Sequence, residues 1–257
     1  MATKGLADVL PLTPLQEGMF FHAGLAGEGD TDVYTVQFVL GLSGAVGPDR
    51  LRAALRTLME RHPTLRSAFR TRPNGEPVQL VPHAVELPWA EADLRGRDAG
   101  AFAGLLAQER AHRFDLGRPP LLRATLARVG EREWKLLLNF HHILLDGWSL
   151  SVLVAELMTC YHHGAGALPP APAHRDHLRW LAGQDRAGAR AAWGGALAGL
   201  AEPTLIAEGA DASRARLPER VFLTLTPELT DGLTALARSR GVTLNTVVQG
   251  AWALLLG

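Results

Sequence analysis

Two apolar runs, residues 121–129 and 134–140, flank the polar tetrad Gly130-Glu131-Arg132-Glu133, and they constrain this chain more than any other feature. Runs of that length on either side of a turn predict a strand hairpin, and the near-continuous apolarity of the second run predicts a deeply buried strand. That strand ends on two adjacent histidines, His141 and His142.

Around the hairpin the chain alternates between helical and strand patterns, which predicts an α/β fold. A helix is expected over 14–26, where Thr13 caps, Pro14 suits the first helical position and Leu15, Met19 and His22 recur at helical spacing. A Gly/Asp-rich turn at 27–32 leads into an alternating strand at 34–42. An amphipathic helix over 50–62 carries Leu51, Leu55, Leu58 and Met59 on one side and is stopped by Pro63. Strands are expected at 65–71 and 78–81 around the turn Pro73-Asn74-Gly75, then a helix at 99–113. Beyond the hairpin come a helix at 149–163, a Gly/Pro/Ala-rich surface connector at 164–173 and helices at 174–184 and 187–200.

A polar, poorly periodic stretch over 201–219 reads as a linker, followed by a strand at 221–225 and helices at 227–240 and 244–256. The expected organisation is therefore one lobe over 1–200, a linker over 201–219 and the beginning of a second lobe over 220–257. The last helix is strongly apolar, and the chain stops inside that pattern. Either a partner surface or a missing remainder of the second lobe is expected to cover it.

Lys plus Arg and Asp plus Glu both number 26, so no net field attracts nucleic acid or an anionic membrane. The first eleven residues lack the apolar run of a secretory signal, and no apolar stretch is long enough to span a bilayer. A cytoplasmic location is the expectation. The single cysteine, Cys160, falls in the apolar pattern Leu153, Leu157, Cys160, Tyr161 and reads as a small core residue rather than a catalytic thiol.

The run His141-His142-Ile143-Leu144-Leu145-Asp146-Gly147-Trp148-Ser149 carries the chemistry. Adjacent residues at the end of a strand point in opposite directions, so one histidine can face the interior while the other faces a cavity. An imidazole near neutral pH can take a proton from an amine or hydrogen-bond a reacting group. Asp146, followed by a flexible Gly147, is placed to turn back onto an arginine or the loop backbone. Three readings compete: two histidines that merely end a strand, a metal site using His142 and Asp146, and a catalytic histidine on a fixed turn. A metal site wants three or four ligands, and no matching cluster is evident, so no metal is expected. His162 and His163 suit a solvated helix end.

The string from His141 to Gly147 resembles the HHxxxDG signature of the condensation domains of nonribosomal peptide synthetases, a signature also found in wax-ester synthases and other acyltransferases. Further segments narrow the resemblance. Leu12-Thr13-Pro14-Leu15-Gln16-Glu17-Gly18-Met19 is similar to the first core motif of condensation domains, and Arg61-His62-Pro63-Thr64-Leu65-Arg66-Ser67-Ala68-Phe69 to the second. Phe114-Asp115-Leu116 with Pro120-Leu121-Leu122-Arg123, and His174-Arg175-Asp176-His177-Leu178-Arg179-Trp180-Leu181, resemble two more.

The resemblance implies a chloramphenicol-acetyltransferase-like fold, a mixed sheet flanked by helices, present here as the N-terminal lobe with a truncated second lobe. It implies an acyltransferase that forms an amide bond in antibiotic or siderophore biosynthesis. Donor and acceptor peptidyl carrier proteins would present substrates on 4'-phosphopantetheine arms, with no tightly bound cofactor. His142 would be catalytic, as a base or an orienting group, with His141 as a packing residue and Asp146 in a salt bridge to Arg61 or Arg66. Amides near Gly147 would face a developing oxyanion, and Gln16, Met19, Trp148 and Ser149 would line the tunnel. The wording of the first motif and of residues 143–149 resembles domains that receive a D-configured donor. The alternatives are a noncatalytic carrier-docking or interaction fragment and a wax-ester-synthase-type enzyme.

Overall fold

The hairpin forms as its turn chemistry requires: Val129 and Gly130 both donate to the carbonyl of Glu133, at 2.9 and 3.1 Å, and close β6 (Leu122–Arg128) on β7 (Glu133–His141). This is a computed structural model, and it describes residues 5–25, 32–98, 100–202 and 221–256. β7 is central in a four-stranded sheet. On one side it pairs antiparallel with β2 (Thr35–Ser43), in a register that sets Thr35 opposite His141, and on the other with β6. β5 (Trp89–Asp93) adds a parallel edge to β6, giving the order β2-β7-β6-β5. A separate antiparallel sheet of three strands joins β1 (Leu6–Pro11), β4 (Pro77–Pro82) and β3 (Ala68–Thr71) in the order β1-β4-β3.

Alternation along β7 separates two kinds of packing. Leu136, Leu138 and Phe140 join one apolar cluster with Leu122, Ala124 and Leu126 of β6. The cluster takes in Leu51, Ala54, Leu55 and Leu58 of α2 (Pro48–Arg61) and Leu153, Leu157 and Cys160 of α4 (Gly147–His163). Cys160 is thus a buried core residue. The other face of β7 presents Leu137, Asn139 and His141, all buried. It is tied to α3 (Gly100–Ala111) by polar contacts: Asn139 donates to the Glu109 carboxylate at 3.3 Å, and Gln37 to the Leu106 carbonyl at 2.9 Å. Arg123 pairs with the same carboxylate at 3.3 Å, so Glu109 and its neighbours satisfy one another beneath the helix.

α1 (Pro14–Leu25) follows β1, and α5 (His174–Ala182) sets Leu178 on Leu10 and Val81 of the small sheet. Two compact units, residues 1–189 and 190–257, meet within the range of α6 (Arg186–Ala196). No residue of α6 is buried, which leaves that helix little packing to bind it into a core. The second unit contains α7 (Pro227–Ser239), capped by Thr226, and α8 (Leu244–Leu256), and these two helices pack on each other.

Several expectations change. β1 and β5 were not expected as strands. The expected strand at 65–71 starts only at Ala68, because residues 63–66 form a 3-10 turn that Pro63 opens. The expected strand at 221–225 pairs with nothing among the described residues, where Val221, Phe222 and Leu223 are exposed. Most of the expected turn at 27–32 and of the linker at 201–219 lies outside the described residues.

Candidate active site

β7 ends at His141, the chain turns over residues 142–144, and α4 begins at Gly147. Each junction has a local cause. Asp146, extended at φ −105° and ψ −175°, caps α4 by accepting from the Ser149 amide at 2.8 Å and the Ser149 hydroxyl at 2.7 Å. These bonds, the amide first, hold its carboxyl below the ordinary value, and the nearby His142 ring lowers it further. Leu144 donates back to the His141 carbonyl at 3.0 Å, and His142 donates its backbone N–H to Tyr34 at 2.8 Å. The turn is therefore fastened at both ends and to the residue just before β2.

The two rings lie in different surroundings. His141 is 1% exposed, and its Nδ1 accepts from the Ile143 amide at 3.1 Å. Burial lowers its pKa to about 4, against the pull of Asp32 and with some help from His142, so the ring is neutral. With Nδ1 accepting, the ring's proton belongs on Nε2. Among the described residues Nε2 has no hydrogen-bond partner, and the Asp32 carboxylate lies 3.7 Å away. His142 is only partly buried, and its Nδ1 is enclosed without a hydrogen-bond partner among the described residues. A polar atom in that state costs stability unless another group satisfies it. A cavity of about 430 Å³ opens beside this turn, lined among others by Phe20, Asp32, Phe69, Arg113, Phe114 and His141. His142 is not part of its wall.

The expected salt bridge from Asp146 is corrected. Arg61 forks onto Glu156 at 3.1 and 3.2 Å, and also donates to the Pro169 carbonyl, while His62 Nε2 lies 2.5 Å from the same carboxylate. Arg66 donates to the carbonyls of Met59, Glu60 and Pro82 at 2.7 to 2.9 Å. Arg61 is drawn away because Glu156 lies on α4 about 15 Å further along the axis than Asp146, at a rise of about 1.5 Å per residue, and Arg66 is spent on backbone carbonyls. Gly147 is not in the left-handed region, so the turn does not draw on glycine's conformational freedom.

Gln16 is a brace more than a lining residue. Only 8% exposed, it donates through Nε2 to the Ile143 carbonyl at 3.0 Å. Its Oε1 accepts from the Thr13 amide at 3.0 Å while the Thr13 hydroxyl accepts from the Gln16 amide, a reciprocal cap that starts α1. Met19 is partly buried against the main cluster, Trp148 is 86% exposed, and Ser149 is engaged by Asp146. Ser149 and Leu150 spend their amides on Asp146, so an oxyanion at this helix end would meet those of Gly147 and Trp148. Sequence reasoning missed Asp32 and Tyr34, whose only signal was the turn composition ahead of β2. Among the described residues no group of three or more His, Cys, Asp or Glu side chains is arranged to hold a metal ion, and no helix is long and apolar enough to cross a membrane.

The family model described as Condensation domain matches residues 6–257. A linear gramicidin synthase of Brevibacillus parabrevis is 35% identical over 266 residues, covering 98% of this chain and 3% of that protein. Bacitracin synthase 3 of Bacillus licheniformis is 31% identical over 264 residues, covering 100% of this chain and 4% of that protein. In fold, the chain is similar to the first condensation domain of the calcium-dependent antibiotic synthetase in complex with substrate analogue 2a, with a TM-score of 0.79 at 24% identity, over 97% of this chain and 61% of that one. The starter condensation domain of rhizomide synthetase gives 0.63 at 21% identity, over 78% and 50%. The chain thus spans a small part of its curated relatives and half to three fifths of these solved domains.

Proposed function

The chain belongs to the condensation-domain family of nonribosomal peptide synthetases, and from that premise we propose that it is the His142-bearing part of an acyltransferase that forms an amide bond between two carrier-bound substrates. The amine of an aminoacyl group on the acceptor carrier attacks the thioester carbonyl of the donor. A C–N bond forms, the C–S bond breaks, and the amine's proton ends on the departing phosphopantetheine thiol. Holding both tethered reactants together supplies much of the acceleration. His142 meets the amine, as a proton acceptor or an orienting group, and Gly147 and Trp148 offer amides at the N-terminus of α4. The cytoplasm is the compartment this reading implies.

The observation that carries the reading is the contrast within the histidine pair: one ring neutral and buried, the other partly exposed on a turn fastened to Tyr34, Gln16 and α4. The test is a two-carrier assay, with donor and acceptor carrier proteins loaded with aminoacyl groups and the dipeptidyl product measured by mass spectrometry. Product that depends on His142 supports the proposal, and full turnover with His142→Ala rejects it.

A second reading, a noncatalytic carrier-docking or interaction module, is favoured by α8, where Leu254 is 87% exposed and Trp252 and Leu255 are exposed beside it. Such a module binds a loaded carrier and yields no product. Turnover of an acyl-CoA with a long-chain alcohol would instead indicate a wax-ester-type activity.

A further inference from the structure

Asp32 touches the arrangement of both histidines. Its carboxylate accepts from the Tyr34 amide at 2.9 Å through Oδ1 and from the Thr35 hydroxyl at 3.0 Å through Oδ2. The same Oδ2 faces His141 Nε2 at 3.7 Å, with the Asp32 side chain 9% exposed. Tyr34, ordered by that first bond, accepts the His142 backbone N–H, and its ring lies 5.8 Å from that of His141.

We propose that Asp32 is a positioning residue for His142: it holds His141 in the tautomer whose Nδ1 is bare, and this keeps the Ile143 amide bonded and the turn that presents His142 fixed. The reasoning is one of donors and acceptors. A neutral imidazole carries one N–H, and an Nδ1–H would meet the Ile143 N–H head-on at 3.1 Å. A carboxylate has only acceptors to offer, so a charge facing Nε2 supports the N–H there and opposes the other tautomer. Through Tyr34 the same carboxylate fixes the carbonyl to which His142 donates. Arg113 and Asp115 also line the cavity beside His141.

Asp32→Asn separates charge and donor pattern from shape. The substituted side chain must keep its oxygen for the Tyr34 amide, so its NH₂ falls where Oδ2 stands and presents a donor to Nε2. In the chain with ¹⁵N-labelled histidine, long-range ¹H–¹⁵N spectra of the native protein should show His141 protonated on Nε2. In Asp32→Asn the proton should move to Nδ1, and the His142 amide resonance should shift as its turn loosens. A native His141 protonated on Nδ1 overturns the proposal by itself, even if the variant does not fold, and so does a folded Asp32→Asn with both signals unchanged. The kinetic consequence rests on the proposed function: kcat should fall about tenfold, with KM held within about twofold. An unchanged kcat in a folded variant also overturns the proposal. Full turnover by His142→Ala removes the catalytic reading instead and leaves the spectroscopic result standing.

Discussion

Gln16 and Ile143, 127 residues apart in the chain, are joined by a 3.0 Å hydrogen bond from the Gln16 side-chain amide to the Ile143 carbonyl. One side chain thus ties the first turn of α1 to the turn that carries His142. Gln16→Leu keeps the approximate volume and leaves the Ile143 carbonyl and the Thr13 amide without these partners. The expected cost is about 1–3 kcal/mol in a urea unfolding series, because buried polar groups lose their hydrogen bonds. A variant as stable as the native protein would show that this brace contributes nothing.

Asp146 works as a helix cap, with Arg61 and Arg66 both engaged elsewhere. Asp146→Ala should therefore cost about 1 kcal/mol, and Asp146→Asn much less, because asparagine caps nearly as well. The carboxyl is held below its ordinary 3.8. Its contribution is thus present above that value and lost as the pH falls through the lower, folded value. Unfolding midpoints of the native protein and Asp146→Asn should converge as the solution is acidified. Loss of several kcal/mol in Asp146→Asn at neutral pH would restore a charge-pair role.

Glu156 is the residue whose removal should disturb an ionic cluster. Burial alone would raise its pKa, but the bonds from His62 and Arg61 prevail and hold it below its ordinary 4.5. Glu156→Gln should cost about 1–3 kcal/mol, since a hydrogen bond to a charged group is lost and Arg61 remains partly buried. The stabilisation is complete above the ordinary carboxylate value and disappears as the pH drops through the depressed one. Calorimetry across the acid range checks this. A pH-independent difference between the two proteins would contradict it.

His142→Ala should reduce condensation by about 10²–10⁴-fold, the usual span for a positioned acid or base. Stability should stay within about 0.5 kcal/mol, as for a side chain outside the packed core. Rate in the two-carrier assay and thermal midpoint give the two numbers. A large loss of stability would mean that the ring packs more than it reacts.

The elements most legible in the sequence are those with strong local periodicity. β6, β7 and α2 follow from apolar runs and a helical stripe, and the capped start of α1 follows from Thr13 and Pro14. β1 and β5 were not legible: Leu6–Pro11 is short and ends in proline, and Trp89–Asp93 alternates alanine with acids. Their strand character comes from pairing with β4 and β6, which no local pattern records. For the same reason 221–225 reads as a strand and pairs with nothing described. In the site, the burial of His141 at the end of an apolar strand was legible, but that this ring and not His142 lines the cavity was not. The partners of Arg61 and Arg66 were not legible, since a charged group does not announce whether it will meet an opposite charge or a backbone carbonyl.

Sequence by itself determined the fold class, the family and the position of the histidine pair, because these depend on apolar periodicity and on short strings that survive any change of surroundings. Tertiary structure alone decided that Gln16 braces the turn, that Arg61 forks onto Glu156, and that Asp32 and Tyr34 belong beside the histidines. Those roles are set by distances of about 3 Å between groups far apart in the chain, and hydrogen bonding over that range exists only once the chain has folded.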